Sequence, residues 1–376
     1  MINENIAAGN AKLHEGVLEY APTEHGGNIY KIAGELGLPE GRLIDFSASI
    51  NPLGLSKKVK ETIRKGMDGL VNYPDPDTSM LRQKIAECHD IDPDAILCGN
   101  GSTELIYLIP RALKPERALI PAPTFSEYER ACKISRCEVT SPVQRYEFTE
   151  ENIFQINIDS FISAMQGFNM AFLCNPNNPT GALLQREEIL GIAEAARKLR
   201  CYLVVDEAFI DFTPEESVIQ DVRDNPYLIV LRSMTKFHAL TGLRIGYAVF
   251  HESLIGRVQD FKEPWTVNNL AQHAAVTALD DMDYIDRTYR LIAREKMYME
   301  KCLYKCGIKF IPSAANYYLL KVSDAGKLTV QLRNKGILIR DCSNFSGLNN
   351  SYIRIAVKSR KHNEMLMKEL SESCSV

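Results

Sequence analysis

The chain has 376 residues, 45% of them hydrophobic, enough to bury a large core without staples and to form two domains or one large α/β domain with an appendage. Its 44 Lys and Arg stand against 48 Asp and Glu, a formal net charge of −4 with both signs mixed and no basic block, which argues against nucleic acid or an anionic membrane surface as partner. Ten cysteines, at 88, 98, 132, 137, 174, 201, 302, 306, 342 and 374, show no C-x-x-C pair and no histidine cluster, which argues against a zinc site or a disulfide framework. The N-terminus lacks an apolar signal region and no run of 18 apolar residues occurs, so a soluble, cytoplasmic protein with buried thiols is expected.

Residues 1–22 are polar with a weak helical rhythm and read as an arm or a frayed helix. Glu24 to Asn28 opens a helix to about Leu36, and the glycines Gly26 and Gly27 beside His25 offer backbone N–H groups to an anion. Leu43–Phe46 reads as a short strand and Asn51-Pro52-Leu53-Gly54 as the turn leaving it. Lys57–Gly66 is an amphipathic helix, followed by a loop, Asn72 to Pro76, that two prolines fix and that carries Tyr73. The strand Ile96–Cys98 runs into Gly99-Asn100-Gly101-Ser102-Thr103-Glu104. There the glycines allow a tight turn, and a helix starting at about Ser102 presents unpaired N–H groups and its positive dipole end to a phosphate. Glu104 replaces the third glycine of a dinucleotide fingerprint, which argues against NAD.

Ala118–Ile120 leads into Pro121 to Tyr128, with Phe125 in that turn. Ala171–Cys174 is a buried strand running into Asn175-Pro176-Asn177-Asn178-Pro179-Thr180-Gly181, whose prolines and glycine force a turn. After a helix, Glu187–Leu199, comes the strand Tyr202–Glu207, with Asp206 at the carboxyl end, where open α/β sheets place ligands. The strand Leu228–Leu231 delivers Ser233, Lys236 and Arg244. A lysine amine can form a Schiff base with a carbonyl cofactor, while a hydroxyl and a guanidinium can hold its phosphate; Asp206 can keep a pyridine nitrogen protonated, and Asn178 can donate to a phenolate oxygen. Taken singly, each also fits an ordinary solvated lysine, a helix-capping acid or an Asn-Pro turn. Strands alternating with helices of ten to fifteen residues imply right-handed crossovers and a mostly parallel sheet. Beyond Asn268 the pattern is helical to about Cys306, then come strands at Tyr317–Leu320, Ile337–Arg340 and Tyr352–Val357. Arg340 and Arg354 lie in these otherwise apolar strands and should face anions or acidic partners, because a lone buried guanidinium is costly.

With Asn178, Asp206, Lys236 and Arg244 in that order, the chain resembles the fold-type I pyridoxal 5'-phosphate (PLP) enzymes of the aspartate aminotransferase superfamily. It is most similar to the branch of histidinol-phosphate aminotransferase and threonine-phosphate decarboxylase. His25 to Ile29 and Asp45 to Gly54 point to the decarboxylase side. The resemblance implies a large domain with a mostly parallel seven-stranded sheet and a smaller α/β C-terminal domain: 1–51 as arm and small-domain segment, 52–270 binding PLP, 271–376 as the small domain.

It further implies that PLP is held by Lys236, Asp206, Asn178, Gly101, Ser102, Thr103, Ser233 and Arg244, that Phe125 stacks on its ring, and that Tyr73 reaches its phosphate across a homodimer. His25, Gly26, Gly27 and Arg340 are expected at the phosphate of a phosphorylated amino acid, Arg354 at its carboxylate, and Asn51 among the residues that bind this substrate. The implied reaction is decarboxylation of L-threonine O-3-phosphate to (R)-1-aminopropan-2-yl phosphate for cobalamin synthesis. The alternatives are decarboxylation of L-serine O-phosphate to ethanolamine phosphate, or a histidinol-phosphate aminotransferase. A PLP-binding regulator without turnover is disfavoured by Lys236, Asp206 and both distal arginines. Departures from the pattern fall at His238 and Thr241, where relatives often carry an aromatic and a proline; His238 is expected as a packed histidine.

Overall fold

The computed structural model describes residues 25–141 and 156–374, so the expectation for residues 1–22, and Glu24 at the head of the first helix, lie outside the described residues. Its strands, in chain order, are β1 (Ile44–Asp45), β2 (Ile96–Gly99), β3 (Arg117–Leu119), β4 (Glu138–Thr140), β5 (Met170–Cys174) and β6 (Tyr202–Asp206). They continue with β7 (Leu228–Ser233), β8 (Gly246–Val249), β9 (Tyr317–Lys321), β10 (Ile337–Leu338), β11 (Arg340–Asp341) and β12 (Tyr352–Ala356). The large sheet has seven strands in the order β2-β8-β7-β6-β5-β3-β4. Only β8 runs antiparallel to its neighbours β2 and β7.

Alternation along the strands explains the two layers that cover this sheet. In β5, Ala171 and Leu173 enter one core with Ile189, Ile192 and Ala196 of the helix Arg186–Leu199. Met170, Phe172 and Cys174 enter the other, with Leu105 and Ile109 of the helix Ser102–Leu113. Because both faces are covered, β5 reads in sequence as a continuous apolar run rather than an alternating one. The expected domain boundary at 270/271 falls inside a structural unit: Ala271, Ala274, Ala275 and Ala278 of the helix Asn269–Leu279 pack into the core of the large sheet.

The smaller unit pairs β11, β12 and β9 antiparallel, while β1 and β10 pair parallel. The single strand expected at Ile337–Arg340 is two, because the chain changes sheets at Ile339: β10 meets β1, and β11 puts Arg340 opposite Arg354. The 24-residue helix Met282–Lys305 buries one stripe, Tyr284, Thr288, Ile292, Glu295, Met299 and Leu303, spaced by three or four residues as one helical face demands. Its upper part, with Phe46, fills the core of the smaller unit. Among the described residues, no helix is long and apolar enough to cross a membrane and no group of three or more metal-capable side chains occurs.

Candidate active site

The carboxyl ends of β5, β6 and β7 lie side by side, so the turns leaving them open on one crevice. Beyond β7 the chain makes a compact loop. Ser233 Oγ and Thr235 Oγ1 are 2.8 Å apart, and Thr241 Oγ1 donates to Thr235 O at 2.7 Å. The Asn51 N–H donates to Lys236 O at 3.0 Å. Lys236 therefore sits on a backbone gripped from both sides. Its amine is lowered to about 8, chiefly because burial disfavours the cation, then through the Arg354 and Arg244 guanidiniums, against the pull of Asp206. About a tenth of the amine is then neutral and nucleophilic at pH 7, far more than an unperturbed lysine offers.

Asp206, the last residue of β6, is buried. Tyr128 Oη donates to its Oδ2 at 2.7 Å and the Ala208 N–H to its Oδ1 at 2.9 Å. Burial nevertheless raises its pKa, only partly offset by these bonds and by Lys236. A buried carboxyl in that state gains from a cationic N–H brought to it. Tyr128 is itself fixed by stacking on Phe172, centroids 5.1 Å apart and planes at 15°, with Phe125 edge-on at 5.6 Å.

Facing the Lys236 loop is the N-terminus of the helix Ser102–Leu113. Gly101 precedes it at φ +77°, and a Cβ there would fall 2.5 Å from Arg244 Nη2; a Cβ on Gly246 would fall 2.4 Å from the Ser102 nitrogen. Only glycines allow strand, helix end and guanidinium to close up in this way. Arg244 is braced by Thr241 O at 3.2 Å. The helix N-terminus, the Ser233 hydroxyl and Arg244 together make an anion cradle.

The remaining wall comes from the smaller unit. Arg354 Nη1 donates to Asn178 Oδ1 and its Nη2 to Ser47 O at 2.9 Å, while its buried Nε has no partner among the described residues. Asn178 Oδ1 is thereby taken, which leaves its Nδ2 as the donor toward a ligand. Two more bonds join the units at the same turn, Tyr317 Oη to Asn177 O at 2.7 Å and the Ala314 N–H to Gly181 O at 2.9 Å. Arg340 lies over the Phe345 ring and donates to Asn344 Oδ1 at 2.8 Å. His25 is 2.9 Å from Glu127 Oε1.

Of the residues expected at the site, all but Gly101, Gly27, Asn51 and Tyr73 line one cavity of about 210 Å³. Gly101 lies just behind the wall as the turn that seats Arg244. Gly27 is a correction: its N–H is used by Ser47 Oγ at 2.8 Å, and it faces a neighbouring cavity of about 700 Å³. The helix after it starts only at Ile29, and Asn28 Oδ1 caps the Lys31 N–H. Gly26 stays at the wall, where a Cβ would fall 2.6 Å from Ser47 O.

Asn51 is the second correction. Its Nδ2 donates to Phe237 O at 2.7 Å and Thr288 Oγ1 at 2.8 Å, so it holds the Lys236 loop from behind instead of facing a ligand. Tyr73, 81% exposed, packs against Trp265 with ring centroids 5.1 Å apart and planes tilted by 36°, away from this cavity. His238 is buried next to Phe237, and burial, its largest influence, lowers its pKa.

Sequence reading missed Tyr128, Thr235, Phe209 and Glu127. A signal existed for Tyr128 alone, an aromatic three residues after Phe125 in a segment that turns helical at Glu127.

The residues fit PLP. The cradle suits its phosphate, Asp206 its ring nitrogen, Asn178 Nδ2 its phenolate oxygen, Phe125 its ring face and Lys236 its aldehyde. Bound there, PLP supplies a protonated ring that draws electrons from the bonds of the substrate's α-carbon.

Comparison with known proteins agrees. The chain is 39% identical over 351 residues, 92% of its length and 95% of the relative's, to threonine-phosphate decarboxylase of Salmonella typhimurium. Among solved structures it superposes on L-threonine-O-3-phosphate decarboxylase from Porphyromonas gingivalis with a TM-score of 0.76 at 31% identity, covering 88% of this chain and 99% of that one. It superposes on histidinol-phosphate aminotransferase from Clostridium acetobutylicum with a TM-score of 0.82 at 31% identity, covering 89% and 99%. The family Aminotransferase class I and II matches residues 42–370, and with the site's geometry this shows that the chain is a member of that family, with its fold and its PLP cofactor.

Proposed function

We propose that this protein decarboxylates L-threonine O-3-phosphate, giving (R)-1-aminopropan-2-yl phosphate, the linker unit for cobalamin synthesis. The observation that carries this reading is the convergence of Arg354, Arg340 and His25 on the cavity that holds Lys236, in addition to the cofactor-phosphate cradle. A substrate with two anionic groups matches them. Arg354, fixed by Asn178 and Ser47, is suited to a planar carboxylate, and Arg340 with His25 and Gly26 to a phosphate. The bond broken is the one held perpendicular to the cofactor ring, so anchoring the phosphate at one end and the carboxylate at the other selects the reaction by orientation.

The decisive experiment incubates PLP-loaded protein with phosphothreonine, phosphoserine and histidinol phosphate and measures released carbon dioxide. Release from phosphothreonine, not accelerated by 2-oxoglutarate, is expected. Phosphoserine should also react, since a pocket discriminates one methyl by only about 1–3 kcal/mol. Glutamate formed stoichiometrically from 2-oxoglutarate with histidinol phosphate, without carbon dioxide from phosphothreonine, would leave the aminotransferase reading in its place.

The working form we propose is a cytoplasmic homodimer in which Tyr73 reaches the partner's cofactor phosphate. Exposed Val71, Tyr73 and Trp265 support a covered face. The free cysteines among the described residues suit a reducing compartment. A fully active monomer in sedimentation velocity would overturn the role of Tyr73.

A further inference from the structure

His25 carries a neighbour that its expected role does not explain. Glu127, the first residue of the helix Glu127–Ile134, is a carboxylate at the edge of a site otherwise built for anions, and its side chain is only 6% exposed. Tyr107 Oη donates to its Oε2, and Arg130 Nη1 is 3.7 Å away. Its acid is held down to about 2, with the His25 hydrogen bond the largest cause.

An ionised carboxylate can only accept, so the 2.9 Å contact assigns the proton to His25 Nε2. The imidazole lies on the wall shared by the two cavities, with Phe125 against it at 5.7 Å. With Nε2 committed to Glu127, Nδ1 is the ring nitrogen left for a ligand. A phosphate dianion presents lone pairs only, so Nδ1 must also carry a proton to meet it. The charged groups lining the adjoining cavity are Lys31, Arg333 and Arg340 against Glu35 and Asp341, a net +1, and the carboxylate hydrogen-bonded to the ring is that of Glu127.

We propose that Glu127 is a positioning residue for the substrate's phosphate: it orients His25 through Nε2 and stabilises it as an imidazolium whose Nδ1–H donates to a phosphate oxygen. This rests on the decarboxylase reading for the identity of the ligand but not for the geometry. The consequence is selectivity for a phosphorylated side chain over the same amino acid without phosphate, exerted by a residue that touches neither substrate nor cofactor.

The test compares wild type with Glu127→Gln, which keeps the shape and loses the charge, and with Glu127→Asp. Glu127→Gln should raise KM for phosphothreonine about tenfold, the order expected when a charge-assisted hydrogen bond is weakened. Its kcat should fall by less than about threefold, as uniform binding energy is lost. Inhibition by ethanolamine phosphate, read on the cofactor's absorption band, should weaken by the same factor, while inhibition by unphosphorylated L-threonine stays within about twofold. Glu127→Asp should recover part of the loss. In wild type with histidines labelled by nitrogen-15, ethanolamine phosphate should bring both His25 ring nitrogens to the protonated shift.

Equal weakening of both inhibitors, loss of the cofactor band, or an Nδ1 that stays unprotonated in the complex would each overturn the proposal. If wild type releases no carbon dioxide from phosphothreonine, the decarboxylase reading falls. The inhibitor pair and the nitrogen-15 spectrum still decide the role of Glu127.

Discussion

Replacing Asn51 by alanine separates two roles for that residue, contact with substrate or support of the Lys236 loop. The substitution removes the bonds from Nδ2 to Phe237 O (2.7 Å) and Thr288 Oγ1 (2.8 Å) and the acceptor of the Leu53 N–H (3.0 Å). Thr288 is not stranded, because its hydroxyl still donates to Tyr284 O at 2.8 Å, and Phe237 O keeps a share at 3.3 Å of the Tyr284 hydroxyl proton that also serves Gly54 O at 2.8 Å. The cost is therefore about 1 kcal/mol for each of two or three bonds, not the full desolvation penalty of orphaned groups. A total of about 2–3 kcal/mol over about 2.1 cal/mol/K of unfolding entropy per residue lowers Tm by about 3 °C. The loop that carries Lys236 loosens as well, so kcat should fall by about tenfold or more, with KM less affected. Calorimetry of the PLP-loaded variant with steady-state kinetics is the assay. An unchanged Tm and kcat with KM raised about tenfold would return Asn51 to the substrate and refute the structural reasoning.

Lys236 should govern cofactor uptake by pH. Its amine titrates near 8 when folded against 10.5 as a free side chain, so the unfolded state binds more protons between those values and cofactor-free protein gains stability as pH rises through that window. Uptake of PLP by that protein, followed by absorbance, should rise with a midpoint near 8, and a midpoint above about 10 would contradict the site's electrostatics. Lys236→Ala should retain no borohydride-reducible adduct. Tyr128→Phe removes the 2.7 Å bond to Asp206 and should leave PLP bound while turnover falls about tenfold, since the carboxylate is less well held in its charged form; undiminished turnover would show Tyr128 to be core filler only. Gly101→Ala puts a methyl 2.5 Å from Arg244 Nη2 at a positive φ, and equilibrium dialysis should show PLP affinity reduced by about tenfold or more, with unchanged affinity refuting the cradle.

Lys236, Asp206, Asn178 and Arg244 were legible because each sits at the end of a short apolar run or in a turn whose local chemistry is visible in sequence. Long-range partnerships were not. Tyr128 meets Asp206 from 78 residues away and Asn51 meets Phe237 from 186, and no periodicity encodes such pairs. The split of Ile337–Arg340 into two strands escaped for the same reason, since each half is defined by its partner, Ile44 or Arg354. Gly27 failed differently: a nearby serine, unremarkable in sequence, absorbs the amide that the motif offered to an anion.

The turn from Asn175 to Gly181 is tied to the smaller unit by Tyr317, Ala314 and Arg354. Its bonds run to both units, since the Asn175 N–H also donates to Asp206 O at 2.9 Å and Asn177 Nδ2 to Pro123 O at 3.1 Å, and so it bridges them. If the substrate's carboxylate docks on Arg354 as proposed, it competes with Asn178 Oδ1 for the guanidinium and changes the orientation of the amide offered to the cofactor. Substrate and cofactor affinities are then thermodynamically linked, and the linkage must run equally in both directions.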